Sequence, residues 1–395
     1  MTMSVRQLGD DDAQAARQLG FEAFGVPSTP PAEPATLLQA GRTSFGVFDE
    51  ELLVAKMVDR DFDSYFGGAV LPTSGIAGVT VAAEHRGQGA LAALFAETLA
   101  SARRRGAVVS TLFPTAPRIY RRFGYEVVAD FVTVQLPTHV LAAVAPAGSL
   151  RTRRATVADV DAVRGVYDTW AREQNGPLTR RGTSFPDGPQ DYLDRFTGVT
   201  VAVDEADVVH GFASWQRGQG YGAQAKLEIT DLLALDADGY RALLRAMGSF
   251  SSVTPHVTID TSGHDVARMF LPTLHWEVTD SSPYMLKILD VVGAMTLRHY
   301  PPGFSDELAF RLEGDVLSDL NGGYLLDVSN GRGSCVRADQ GGRVFTPQGL
   351  ALMFAGTQSS ANLRAAGYLV GGTTDEDATW DAHFGGRQPH IRNYF

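Results

Sequence analysis

Apolar positions recur along the chain in two alternating spacings, a helical one and a period of two, and this predicts a mixed α/β protein. Residues 10–24 carry helical spacing, while 44–49 and 51–58 alternate around an Asp-Glu turn and predict a hairpin. Residues 68–72 and 75–81 add strand, and 90–105, rich in Ala, Leu and Arg and stopped by Gly106, predicts a helix. A strand at 107–113 then leads to a short helix at 115–123, with Pro117 near its start and Gly124 past its end. Residues 125–128 return as strand.

The pattern breaks twice. Residues 138–150, with Pro146 and Gly148, form a small-residue linker, and 151–163 restart with a strand feeding a helix, as the chain began at 5–10. That restart predicts an internal repeat at about 145 residues. Its hairpin falls at 199–203 and 208–215, and 226–235 is its counterpart of the strand at 75–81. From about Tyr284 the texture changes again: 285–295 leads to short strands, including 304–312 and 322–328, and to helical pieces at 346–356 and 360–366. A sheet with helices on one face is expected there. The domains expected are 1–140, 150–284 and 285–395.

The most informative stretch is 79–91, where a strand breaks through an Arg/Gly-rich turn into a helix. Two glycines leave main-chain N–H groups bare, and the helix adds its own unpaired N–H groups and the positive end of its dipole, so a pyrophosphate fits there. No G-x-x-x-x-G-K-[ST] is present. Residues 87–92 match G-x-G-x-x-[GA], but the dinucleotide reading needs an acid closing the next strand, and 107–113 has none. The remaining pattern is the acyl-CoA turn R-x-x-G-x-[GA] of GNAT N-acetyltransferases, which Arg86, Gly87, Gln88 and Gly89 resemble, with Leu91 in place of the small residue. In the repeat, Asp236, Ala237, Asp238 and Gly239 stand at the corresponding turn, where two acids would repel a pyrophosphate.

Charge and cysteine content narrow the classes further. With 45 acidic and 34 basic residues the net charge is −11, which disfavours nucleic acid and favours steering of cationic small molecules. One cysteine, Cys335, excludes an internal disulfide and a cysteine-rich zinc site, and H-E-x-x-H and G-x-S-x-G are missing, so no metal is expected. Neither a long apolar run nor a basic-then-apolar leader is found, so no membrane association and a cytoplasmic location are expected.

Taken over its full length, the chain resembles the enhanced intracellular survival (Eis) acetyltransferases of actinobacteria. The marks are 79–81 running into His85-Arg86, the segment Ile119-Tyr120-x-Arg122-Phe123-Gly124-Tyr125, the opening Leu286-Lys287-Ile288-Leu289-Asp290, and the aromatic terminus at Phe395. The resemblance implies an α/β (α+β) architecture: tandem GNAT domains, the first active and the second degenerate, followed by a sterol-carrier-like α+β domain. It also implies acetyl-CoA as co-substrate and a homohexamer.

Acyl transfer needs the thioester held, the amine deprotonated and the leaving thiolate protonated. By motif position, the main chain of Val79, Thr80 and Val81 would pair with the pantetheine arm. Gly87, Gln88, Gly89, Ala90, Leu91 and Ala92 would hold the pyrophosphate with Arg86 adding charge, and Thr115 and Ala116 would pass beside the arm. Tyr120 is the implied general acid, with Tyr125 as its rival, and the terminal carboxylate of Phe395 is the implied base. Glu22 and Phe24 are the residues expected at the acceptor groove. The acceptors implied are polycationic amines such as aminoglycosides. A protein-lysine or polyamine acetyltransferase and a non-catalytic acyl-CoA or lipid binder are the alternatives.

Overall fold

The computed structural model describes residues 3–26, 36–222 and 224–395, and their period-two segments pair into two sheets. The first unit supplies β1 (Met3–Gln7), β2 (Arg42–Asp49), β3 (Leu52–Phe66), β4 (Ala69–Val81), β5 (Val109–Leu112) and β6 (Glu126–Pro137). Its helices are α1 (Ala13–Phe24), α2 (Ala90–Arg104), α3 (Pro117–Arg121) and α4 (Thr138–Ala142). The repeat supplies β7 (Arg151–Arg154), β8 (Gly198–Val203), β9 (Val209–Arg217), β10 (Leu227–Ala234), β11 (His256–Thr261) and β12 (Glu277–Ile288), with α5 (Val160–Arg172), α6 (Pro189–Asp194) and α7 (Ala237–Gly248). The last unit holds β13 (Ser305–Leu312), β14 (Gly322–Ser329), β15 (Arg332–Arg337), β16 (Val344–Phe345) and β17 (Leu369–Val370). Around them lie α8 (Val291–Leu297), α9 (Pro347–Ala355), α10 (Ser360–Ala365) and α11 (Thr374–Phe384).

Among the described residues the first two units share one twelve-stranded sheet, ordered β1-β2-β3-β4-β5-β12-β6-β11-β10-β9-β8-β7. They are joined by a strand exchange. β12 of the repeat lies antiparallel between β5 and β6, and β6 pairs beyond it with β11. The division expected at 284/285 therefore falls inside one strand. Its first half is polar and exposed and its second half apolar and buried, so a change of burial within a strand reads as a change of domain. A second difference concerns 68–72 and 75–81, which form a single strand, β4. Pro72 stands one residue before β5 pairing begins at Thr73↔Val109, and its carbonyl accepts from Val108 N–H at 3.0 Å, so no bond of that ladder is lost.

The last unit is a five-stranded sheet, β15-β14-β13-β16-β17, whose core gathers Phe310, Phe345, Met353, Phe354 and Trp380. It grips the strand exchange through one buried ion pair: Lys287 Nζ on β12 reaches Asp315 Oδ2 at 2.6 Å and Oδ1 at 2.8 Å. Burial pulls the Lys287 ammonium below its ordinary value while Asp315 opposes the fall. The same nitrogen explains a glycine. Gly124 has φ +88°, and a Cβ there would stand 2.8 Å from Lys287 Nζ.

Replacing Lys287 with Met should cost about 3–5 kcal/mol in urea unfolding, because Asp315 is left buried and uncompensated. Adding Asp315→Leu should recover most of that loss; no recovery would mean that the pair is incidental to the join.

Candidate active site

β4 and β5 run parallel from Thr73↔Val109 to Ile76↔Leu112 and then part. The parting is forced from both sides. β12 holds the far edge of β5 up to Leu112↔Met285, while β4 stays with β3 to Ala55↔Val81 through a register shift at Lys56/Val58. Thr80 and Val81 thus keep β3 on one edge, and along Val79–Val81 no strand among the described residues takes the other, an open ladder on which an extended arm can pair as an added strand.

The pairing is fastened just before it opens. Ser74 Oγ donates to Asp59 Oδ1 at 2.6 Å, Ser110 Oγ lies 3.4 Å from Ser74 Oγ, and Ser110 Oγ meets the Tyr125 hydroxyl at 2.7 Å. Arg105 closes the outer end by pairing with Asp59. Burial pushes the Asp59 carboxyl up to about 6, with Asp61 adding to the rise and Ser74 and Arg105 opposing it.

Beyond the parting, Gly87 and Gly89 adopt φ +79° and +91°, and Gly89 caps α2. A Cβ at either would meet nothing within 4 Å, so both face open space. Main-chain bonding of the helix begins with Ala93 N–H to Gly89 C=O at 3.1 Å, which leaves the amides of Ala90, Leu91 and Ala92 as the unpaired first turn. Arg86 is exposed, Gln88 donates to Glu84 C=O at 2.8 Å, and Leu91 packs against the α2 core. His85 turns away toward Asp49, at 3.5 Å. In the repeat the matching helix end is already filled: Asp236 accepts from Gly239 N–H at 2.7 Å and caps α7.

Tyr120 and Phe395 reach the parting from opposite faces of the sheet. Tyr120 on α3 is buried in the α2-side cluster with Ile76 and Leu112, edge-on to Phe95 at 6.0 Å. Burial raises its phenol above the ordinary value, offset in part by the Thr115 hydroxyl. Ala116, next to Thr115, is the residue that caps α3. Phe395 lies on the other face: its ring is 4.9 Å from Phe62 and 5.4 Å from Phe113, and a Cβ on Gly75 would touch it at 3.1 Å. Gly75 and Ile76 are neighbours on β4, as Leu112 and Phe113 are at the end of β5, so both side chains flank the last paired residues. Tyr125 is instead fully buried, and its phenol is pushed far above its ordinary range.

The repeat and its strand partners hold the tail that carries Phe395. His390 N–H donates to Asn175 C=O at 2.7 Å, and Ile391 is fully buried with its N–H on Ser262 Oγ. Arg392 pairs with Asp265 Oδ2 at 2.6 Å and donates to Asp260 C=O at 2.7 Å, while Arg180 donates to Asn393 Oδ1 at 3.0 Å. Although burial alone would raise Asp265, Arg392 and Thr261 hold its carboxyl below the usual range. Of the two groove residues, Phe24 is 59% exposed and lines a cleft beside β3, whereas Glu22 is exposed to solvent. That cleft also takes in Arg42, Lys56 and Arg60, a cationic set that the sequence reading missed.

Comparison with known proteins gives this arrangement its class. Models of an acetyltransferase (GNAT) domain match residues 4–128 and 176–288, and a sterol carrier protein domain model matches 291–392. The chain is therefore an acetyltransferase built from two GNAT domains followed by a sterol carrier protein domain. It is 28% identical over 385 residues to an N-acetyltransferase of Streptomyces avermitilis, covering 93% of each chain. With the N-acetyltransferase Eis of Mycobacterium tuberculosis it shares 27% over 320 residues, 77% of this chain and 75% of that one. The crystal structure of a GCN5-related N-acetyltransferase from Kribbella flavida superposes with TM-score 0.82 at 25% identity, covering 100% of this chain and 98% of that one. The fold of Eis1 from Mycobacterium abscessus matches at TM-score 0.77 and 19% identity over the whole of both chains. The chain is similar to the Eis acetyltransferases over most of its length.

Gly89→Ala should cost about 1 kcal/mol of stability, the strain of a left-handed Cβ. Calorimetry should show a far larger proportional loss in CoA affinity than in urea midpoint, because the new methyl points into the space in front of the bare amides. Asp59 gives a pH signature. Its folded value lies above the unfolded one, so its penalty is absent at low pH, grows as pH rises through about 4 to 6 and is complete above that. Asp59→Asn should match wild type in melting temperature near pH 4 and exceed it by up to about 3 kcal/mol equivalent at neutral pH; a gap that shrinks with rising pH would refute the assignment.

Proposed function

We propose that this protein transfers the acetyl group of acetyl-CoA directly to a primary amine at the parting of β4 and β5. The observation that carries the reading is the approach of Tyr120 and Phe395 from opposite faces to the last residue pairs before the opening. The open edge at Val79–Val81 would hold the pantetheine arm, and the amides from Gly87 to Ala92 the pyrophosphate. The amine nitrogen attacks the thioester carbonyl, the C–N bond forms, and the C–S bond breaks. Tyr120, a phenol protonated at neutral pH whose burial raises it further, donates to the departing thiolate. The α-carboxylate of Phe395 takes the proton lost by the amine, through water, since an acid of its ordinary strength is a weak base toward an ammonium ion. Resemblance alone offers aminoglycosides as acceptors; the three cations in the cleft beside the site, with no carboxylate lining it among the described residues, argue for an amine of another kind.

Release of CoA thiol from acetyl-CoA, measured over a panel of aminoglycosides, polyamines, lysine peptides and amino acids, tests the reading. Tyr120→Phe should lower kcat by about 100-fold or more with acetyl-CoA affinity nearly unchanged. Deleting Phe395 should slow turnover far more than it weakens acetyl-CoA binding. Equal loss of both would remove the carboxylate from the chemistry.

A further inference from the structure

The acceptor side of β3 carries a charge opposite to that of the whole chain. A cleft of about 600 Å³ opens between the end of α1, the start of β2, the Gly78 turn of β4 and residues 183–186 of the repeat. Arg42, Lys56 and Arg60 line it, and no Asp or Glu does so among the described residues. The nearby acids are turned the other way. Asp59 and Asp61 alternate with Arg60 along β3 and are taken up by Arg105.

Holding these cations together is unfavourable. Arg42 and Arg60 are direct cross-strand partners in the β2–β3 ladder, where like charges destabilise. Among the described residues Arg42 reaches Gln39 Oε1, at 3.5 Å, and its buried Nε meets no partner. Burial holds all three cations below their ordinary values, and the charge of Arg42 deepens the effect at Lys56 and Arg60, with no carboxylate opposing it. A bound anion would relieve the repulsion and fill the vacant donors.

The cleft also joins the site. Arg60 lines both it and the cavity that contains Phe395, and it pairs in the ladder with Gly75, against which the Phe395 ring rests. A molecule seated on the cations therefore extends toward the parting of β4 and β5.

We infer that the acceptor is an amine that also bears a carboxylate or phosphate, and that Arg42, Lys56 and Arg60 hold this anionic end while the nitrogen reaches the acetyl group. The inference rests on the acetyl-transfer reading and names its substrate class.

Matched amines test it: lysine against cadaverine, and glucosamine 6-phosphate against glucosamine, by CoA thiol release. The anionic member of at least one pair should be preferred by about tenfold or more in kcat/KM, and the better pair tells carboxylate from phosphate. Arg60→Gln and Lys56→Gln should each reduce that preference, mainly through KM for the acceptor. Arg42→Gln should do the same while raising the melting temperature, because it removes the like-charge pair. In parallel, calorimetry with glucosamine 6-phosphate and with lysine on the full chain should show binding of at least one of them that Arg60→Gln weakens about tenfold. Charge-dependent binding without turnover of any amine would refute the acetyl-transfer reading and leave the anion site standing. Turnover that favours cadaverine, glucosamine or an aminoglycoside would refute the inference and leave the transferase standing. A variant effect confined to KM for acetyl-CoA would assign the cations to the coenzyme and overturn the inference as well.

Discussion

Everything at the site follows from one constraint, that β4 and β5 cannot stay paired past Ile76↔Leu112. A parallel pair with free outer edges can extend as far as both strands run. Here each outer edge is already committed, β4 to a long antiparallel partner in β3 and β5 to β12. Main-chain ladder bonds are worth little net but costly to leave unmade in a buried sheet, so each strand follows its antiparallel neighbour and the seam opens. The opening exposes the β4 edge at Val79–Val81 and aims the chain at the bare amides of α2. The strand contributed by the repeat thus does as much to form the opening as the motif that marks it.

The repeat has exchanged one use of its fold for another. Its own helix end is capped by Asp236, so one of the amides that would meet a pyrophosphate is already satisfied and a carboxylate stands in front of the turn. What it supplies instead is a clamp. Residues 388–393 are tied to Asn175, Ser262, Asp265 and Arg180, with the Arg392–Asp265 pair 1% and 4% exposed. A terminal segment ordinarily frays, because fixing each residue costs about 1–2 kcal/mol of backbone entropy for few contacts. Buried charge-assisted bonds and a fully buried Ile391 offset that cost and deliver Phe395 onto Gly75 and Phe113. Two units that each hold only part of the site are therefore locked together by it.

Much of this was legible in the sequence, because its signals are local. The glycine turn before α2 and the hairpin periodicity each occupy a few adjacent residues, and the structure has them where those letters fall; the linker expected at 138–150 instead opens with the buried helix α4, whose Val140 and Leu141 pack in the core. The aromatic end at 390–395 also announced that it packs, although not against what. Non-local facts were out of reach. Nothing in 277–288 tells that one strand serves two units; its polar-to-apolar change instead imitates a domain boundary. Glu22 was named from its place on α1, and the two-residue step to Phe24, about 200° around the helix, sets Glu22 in solvent while Phe24 meets the cleft. The cationic cleft had a faint signal, the alternation Asp59-Arg60-Asp61 just past the strand predicted at 51–58, which on a continued strand separates opposite charges onto opposite faces. Net charge along the chain hides that signal, because it adds residues that the strand turns to opposite faces.

The sum is the wrong quantity for a site of this kind. A net charge of −11 sets a diffuse field, screened over about 8 Å at physiological ionic strength, and biases which ions approach. In the cleft beside β3 the charged residues among those described are Arg42, Lys56 and Arg60, within a half-buried lining where screening is weaker. The acids that would cancel them are paired on the far side of the same strand. A polycation drawn in by the outer field would meet three like charges at the point where it has to be positioned. An amine with an anionic end would be held there instead, with its charge neutralised where the fold most needs it. On the proposed reading, local arrangement rather than net charge would decide which amine reacts, and the alternation of a single strand is enough to set the charge of the cleft against that of the whole protein.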